Sequence, residues 1–509
     1  MEKPLVISDY LSRAELVFGD RIAVIDEPDQ PAPPLGPMTY AEMADRARGQ
    51  AAFLDDLGID VGGRVAIISQ NSARLLTSFF GVSGSGRILV PINFRLTPDE
   101  IQYIIEDSGS TVLLVDPDLV ESVAHLRMDH VFVLGENDEL VFPRGRTPEH
   151  WTPDEHATAT INYTSGTTAR PKGVQLTHRN LWINSSVFSL HVGVNDRDVY
   201  LHTLPQFHCN GWGMPYGITG MGGKHIMLRK VDGVEILRRV EEHGVTFMCG
   251  APAVISMVLD AAKDWDGPIP GKNQVRVVVA GAPPPTSVIE KVESELGWEF
   301  IQIYGLTETS PLLTVNRHRY EWDDFDSHER ARLLSRAGVP VLGTEILVNE
   351  DGEVLARSNT VLRSYWNKAE ETHEALAGGW FHTGDGGTAD HAGYVTITDR
   401  KKDVIISGGE NVSSIEVEDA LLHHPHIREA AVIGVPDEKW GELVTALIVG
   451  DGTTLEAEEI QTFVRQHLAG FKIPRKIEFR EQLPRTATGK LQKAKLREPY
   501  WAGITKNVH

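Results

Sequence analysis

The chain has 509 residues, 41% of them apolar and 24% charged, with a formal charge of -22, the make-up of a globular enzyme too long for one core and sized for about three folding units. So acidic a chain argues against nucleic acid or an anionic membrane as a partner, because both require a concentrated basic face. Two cysteines, Cys209 and Cys249, cannot make a disulfide framework or a four-cysteine zinc site, and without a signal-like start, a targeting motif at the C-terminus or an apolar run of about twenty residues, a cytoplasmic location is the expectation.

In chain order, a Pro-rich patch at 28–37 reads as a surface loop. The stretch 39–58, TYAEMADRARGQAAFLDDLG, has the apolar spacing of a helix closed by Gly58. VAIISQ (65–70), TVLLVD (111–116), VRVVVAG (275–281) and EFIQIYG (299–305) read as buried strands between helical segments. The charged run Asp399-Arg400-Lys401-Lys402-Asp403 precedes a tail with its own pattern, in which EVEDALLHH and a segment around 456–468 are helix-like and AAVIGV and TALIVG are strands. The predicted fold is α/β, with a large layered N-terminal domain at 1–398, a hinge at 399–402 and a small α+β C-terminal domain at 403–509.

The most informative segment is Tyr163-Thr164-Ser165-Gly166-Thr167-Thr168-Ala169-Arg170-Pro171-Lys172-Gly173. Hydroxyls and backbone N–H groups around a glycine, followed by a lysine, suit a loop wrapped on polyphosphate. It is not the Walker pattern, because Pro171 precedes the lysine and Gly173 follows it. Composition alone allows an ordinary flexible loop, but the order of residues resembles the signature of the adenylate-forming superfamily, which includes acyl-CoA synthetases, peptide-synthetase adenylation domains and firefly-type luciferases. Ala169 departs from that family's usual Gly or Ser. The resemblance runs through the whole chain, and it is greatest to medium-chain and methylmercaptopropionate CoA ligases.

That resemblance implies roles for particular residues. Thr164, Ser165, Gly166, Thr167, Thr168 and Lys172 would hold the polyphosphate, and Gly281-Ala282-Pro283 would mark the adenine-binding strand end. In Tyr304-Gly305-Leu306-Thr307-Glu308-Thr309, Tyr304 and Gly305 would meet the nucleotide, Thr307 the α-phosphate, and Glu308 with Thr168 a Mg2+ ion. Asp385, in WFHTGD, and Arg400 would bind the ribose, although Gly386-Gly387 replaces the branched residue usual after the aspartate. His208, Trp212 and Gly305 would line the acyl pocket, and Ser407-Gly408-Gly409-Glu410 would line a tunnel for coenzyme A. Lys402 would be the pivot and Lys490, in PRTATGK, the catalytic lysine.

The implied reaction has two halves. A carboxylate attacks the α-phosphorus of ATP to give acyl-AMP and pyrophosphate; the small domain then turns, and the thiol of coenzyme A attacks the mixed anhydride. Delivery to a carrier protein or an amine, and a non-catalytic ATP-binding regulator, are the alternatives. The chain's end about twenty residues after Lys490 favours coenzyme A over a fused carrier. The expected partners are a small carboxylic acid, ATP and coenzyme A, without nucleic acid or a membrane-spanning segment, and a homodimer is the assembly considered.

Overall fold

The computed structural model describes residues 2–164, 170–400, 403–407, 410–437, 439–486 and 490–502, excepting the Arg400 side chain. The predicted helix forms at Tyr40–Asp56, started by a capping box in which the Thr39 hydroxyl accepts from the Glu42 N–H and Glu42 reaches back to the Thr39 N–H. Leu57 is its C-cap, and Gly58 lies one residue beyond with φ +69, where a side chain would be strained. The four apolar runs are strands at Arg64–Ile68, Val112–Val115, Arg276–Val279 and Glu299–Gly305.

Two sheets dominate the larger unit. One has nine strands, and its centre is the parallel run Val199–His202, Phe247–Gly250, Arg276–Val279 and Glu299–Gly305. The other has seven, in which parallel strands Ile88–Ile92, Arg64–Ile68, Val112–Val115 and His130–Val133 adjoin the hairpin Thr158–Thr164/Lys172–Thr177. A single apolar core joins Val24 and Met227 of the first sheet to Val65, Leu114 and Val174 of the second, through Phe53, Phe79 and Tyr216 on helices. Burial on both faces explains why these strands read as unbroken apolar runs. A four-stranded antiparallel sheet follows, built from Thr344–Val348, Glu353–Ser358, Phe381–Ala389 and Val395–Arg400.

The C-terminal unit has its own core, with Val417, Leu421, Val432, Ala446 and Ile460 on its elements. The predicted strands pair as Ile427–Asp437 against Gly441–Gly450, and the predicted helices form at Ser414–Leu422 and Ala457–Val464. Strand Lys476–Phe479 and helix Lys493–Trp501 are additions not foreseen from the sequence. Of the segment 399–402 expected to be a hinge, Asp399 and Arg400 belong to strand Val395–Arg400, and Lys402 lies outside the described residues. No helix among the described residues is long and apolar enough to cross a membrane.

Candidate active site

Ligands of open α/β sheets collect beyond the carboxyl ends of the strands, and here those ends carry the predicted site. Strand Arg276–Val279 leads into Gly281, whose φ of +92 suits glycine, then Ala282 and Pro283. Its parallel neighbour Glu299–Gly305 ends in Tyr304 and Gly305, with a register shift against Leu312–Arg317 between them. A Cβ at Gly305 would lie 1.6 Å from the Pro311 carbonyl oxygen, so only glycine fits. Thr307-Glu308-Thr309 forms a short 3-10 turn held by the Leu306 N–H donating to Thr309 Oγ1 at 3.0 Å.

The second sheet reaches the same place through its hairpin. Tyr163 pairs with Gly173 and Thr164 with Lys172, so the signature segment is the connection between two paired strands; Ser165, Gly166, Thr167, Thr168 and Ala169 lie outside the described residues. Edge strand Ser364–Tyr365 adds to this hairpin with Tyr365 opposite Val174. The Lys172 ammonium therefore sits 5.3 Å over the Tyr365 ring, while the Tyr365 hydroxyl donates to Glu308 Oε1 at 3.0 Å. Burial, and then the neighbouring Glu308 charge, push the Tyr365 phenol well above its usual range, so it stays a donor. Tyr365 thus ties the hairpin Thr158–Thr164/Lys172–Thr177 to the Thr307-Glu308 turn. Sequence reasoning missed it, since an isolated tyrosine in a two-residue strand carries no pattern.

Asp385, buried in strand Phe381–Ala389, accepts from the Tyr304 hydroxyl at 2.8 Å and stands opposite Arg400 in the ladder. Asp385 and Arg400, the two predicted ribose residues, are thereby cross-strand partners. Gly386-Gly387 does not break this strand: it forms a bulge, and a Cβ on Gly387 would lie 2.8 Å from the Thr396 carbonyl oxygen.

Phe207–Gly213 follows strand Val199–His202 and takes an unusual path. Cys209, Asn210, Gly211 and Trp212 have φ between 46 and 58, a left-handed turn of consecutive residues. Buried amides hold it: Asn210 Nδ2 donates to Thr160 Oγ1 at 2.9 Å and Asn162 Nδ2 to Asn210 Oδ1 at 3.1 Å, while Asn184 Nδ2 donates to the Trp212 carbonyl at 3.3 Å. The asparagines were legible only as polar residues inside apolar runs. Trp212, predicted to contact the acyl group, is buried in a core cluster with Phe188, Met214 and Ile303. His208 is half-buried, and burial together with the positive charge of Lys490 lowers its pKa to about 4.

Lys490, on the smaller unit, is thus near enough to the larger one for its charge to act on His208. Its loop is closed at the base by the Thr486 N–H donating to the Lys490 carbonyl at 2.7 Å, with 487–489 outside the described residues. Ser407 and Glu410 pair across a hairpin whose tip, Gly408-Gly409, also lies outside them. For magnesium, the hard carboxylate of Glu308, bonded to Tyr365 of the strand that pairs with Lys172–Thr177, fits the ion's preference for oxygen; no cluster of three or more His, Cys, Asp or Glu occurs among the described residues.

This arrangement, with two strand-end turns, a hairpin that carries the signature segment and a second unit that carries Lys490, is matched along the chain. The chain belongs to the AMP-binding enzyme family, whose model matches residues 12–366, while the AMP-binding enzyme C-terminal domain matches 416–490. Within that superfamily it is a member of the acyl-CoA synthetase branch of ATP-dependent acid–thiol ligases. It is 36% identical to 4-hydroxybutyrate–CoA ligase 2 of Metallosphaera sedula, covering 98% of this chain and 95% of that protein. It is 37% identical to 2-methylpropanoate–CoA ligase CCL4 of Humulus lupulus, covering 97% and 95%. The anthranilate CoA ligase AuaEII, solved in complex with anthranoyl-AMP, superposes with a TM-score of 0.87 at 27% identity over 98% of this chain and 99% of that one.

Proposed function

We propose that this acyl-CoA ligase activates a small aliphatic carboxylic acid, with Lys490 as the group that makes the first half-reaction possible. The observation that supports the assignment is that the charge of Lys490, carried by the smaller unit, acts on His208 of the larger one, whose neighbour Cys209 lies against the Thr307 carbonyl. A carboxylate oxygen attacks the α-phosphorus, and the bond to pyrophosphate breaks. The Lys490 ammonium offsets repulsion between two anions and stabilises the charge that accumulates on the phosphorus oxygens. His208 stays neutral at pH 7, so it can orient the carboxylate by hydrogen bonding and adds no competing positive charge.

Tyr304 packs on the adenine, and Asp385 accepts from the ribose hydroxyls while being oriented by Tyr304. Lys172 faces the outer phosphates. Glu308 and Thr168 would hold Mg2+, which when bound neutralises phosphate charge. The thiol of coenzyme A then attacks the acyl carbon, and AMP leaves with the former carboxylate oxygen. Ser407, Gly408, Gly409 and Glu410 are assigned to the pantetheine path and Lys402 to the pivot. The preference for a small aliphatic acid draws on the acids named for the two relatives, 4-hydroxybutyrate and 2-methylpropanoate. The acidic surface and two buried cysteines suit a cytoplasmic compartment.

The test is pyrophosphate release with a panel of acids, with and without coenzyme A, and products identified by mass spectrometry. Small aliphatic acids should give the fastest release, and acyl-CoA should appear only with coenzyme A. Lys490→Ala should slow release by about a hundredfold or more and leave thioester formation from supplied acyl-AMP largely intact. Equal loss of both half-reactions would refute the role given to Lys490.

A further inference from the structure

The structure holds the two units together at a place remote in sequence from the hinge. Thr286 opens helix Thr286–Lys291 of the larger unit, three residues after Pro283 of the adenine-binding strand end. Pro285 precedes it and gives that helix no side-chain cap. The cap comes from the other unit: the Thr286 N–H donates to Asp419 Oδ1 at 3.0 Å, and the Thr286 hydroxyl lies 3.3 Å from the same oxygen and 3.0 Å from His423 Nε2. His423 is fixed in turn by a 2.7 Å contact between its Nδ1 and the Asp419 carbonyl.

Asp419 lies on helix Ser414–Leu422, which also connects to the catalytic loop. Glu418, next to Asp419, forms a largely buried ion pair with Lys493 at 2.8 Å and accepts from the Val432 N–H at 2.7 Å. Lys493 also bonds the Ser414 hydroxyl and stands three residues after Lys490. At the start of the same helix, the Ser414 N–H donates to Asp399 at 2.9 Å. One rigid helix therefore grips Thr286 at one end and Asp399 at the other, and carries the Lys490 loop through Glu418–Lys493.

We infer that Thr286, Asp419 and His423 form a latch that selects the orientation presenting Lys490 to the cleft. Asp419 is a positioning residue for the first half-reaction. This rests on the role proposed for Lys490. A turn about the proposed pivot Lys402 would carry helix Ser414–Leu422 away from Thr286, and the latch would then open before the second half-reaction. Its position directly after Gly281-Ala282-Pro283 links the grip to the segment assigned to adenine. A ligand-independent contact that favours the arrangement seen here stabilises that arrangement over any other, so removing it shifts the balance between orientations without altering either chemical step.

The experiment uses the full chain with spin labels at Glu329→Cys and Glu458→Cys, both exposed, while native Cys209 and Cys249 are buried. Distances between labels are measured with ATP present, and pyrophosphate release and thioester formation from supplied acyl-AMP are followed on unlabelled protein. Asp419→Ala should lower the population with the latched distance and slow pyrophosphate release by about tenfold to a hundredfold, with thioester formation undiminished. Asp419→Asn keeps an acceptor oxygen for the Thr286 N–H and should restore both readouts. Thr286→Val, made in the other unit, should give a smaller effect of the same sign. An unchanged distance distribution in Asp419→Ala, or equal slowing of both half-reactions, overturns the latch. If Lys490→Ala leaves pyrophosphate release intact, the reading of Lys490 fails, and the distance measurement still decides whether the latch exists.

Discussion

Asp385 lies beneath Tyr304 because a ladder places it there, and its carboxylate is assigned two ribose hydroxyls. Charge-assisted hydrogen bonds contribute about 1.5–3 kcal/mol, so Asp385→Ala should weaken ATP binding by about tenfold to a hundredfold; calorimetry showing unchanged affinity would sink the ribose assignment. Asn210 presents a different problem, because its side chain and its backbone both matter. Left-handed backbone costs an ordinary residue about 1–2 kcal/mol, and asparagine or glycine less. Asn210→Ala should therefore lose both the amide bonds to Thr160 and Asn162 and the backbone tolerance, whereas Asn210→Gly loses only the bonds. Urea unfolding should place the glycine variant about 1 kcal/mol above the alanine variant. Identical stabilities would mean that the turn is not strained.

The elements show how a short segment gains its role from a neighbour. Strand Ser364–Tyr365 has two residues and acts by hydrogen-bonding to strand Lys172–Thr177, which sets Tyr365 between Lys172 and Glu308. Helix Lys493–Trp501 contains Pro499 and lacks a side-chain cap, so it has few local signals of its own; it packs onto the small unit through Leu496 and Tyr500. Its first residue, Lys493, forms the buried pair with Glu418. Removing one member of such a pair typically costs about 3–5 kcal/mol, because the other is left charged without a partner, while an apolar replacement of both is far milder. Lys493→Met should therefore lower the unfolding temperature of the small unit markedly, and Lys493→Met with Glu418→Leu should recover most of it. A double variant no more stable than the single one would assign Lys493 to catalysis or packing instead.

At the scale of the molecule, His178 reports on how the N-terminal segment is anchored. The Ile7 N–H donates to His178 Nδ1 at 3.5 Å, so that nitrogen must be unprotonated. Burial lowers the pKa to about 4. The folded pKa lies below the unfolded one, so the unfolded chain binds more protons between the two values. The stabilisation is present above pH ~6.5 and is lost as pH falls toward about 4, amounting to about 3 kcal/mol from this group. His178→Gln keeps an acceptor and should flatten the stability profile over that window when unfolding is followed across pH. A slope equal to wild type would show that other groups govern acid sensitivity.

The sequence by itself determined the order of the motifs and therefore the family, because Tyr163–Gly173, Tyr304–Thr309, WFHTGD and PRTATGK each need fixed residue types at fixed spacing. It determined the main strands and helix Tyr40–Asp56 as well, since burial on both faces and a capping box are local patterns. Only the tertiary structure decided that Tyr365 bridges two sheets, that Asp385 and Arg400 stand opposite one another, and that Cys209–Trp212 turns left-handed around buried asparagines. It alone decided that Asp419 caps a helix of the other unit. Each of these depends on partners separated along the chain, from Asp385 and Arg400 in adjacent strands to Thr286 and Asp419 in different units, held in register by sheet pairing and core packing, and no local periodicity encodes such a meeting.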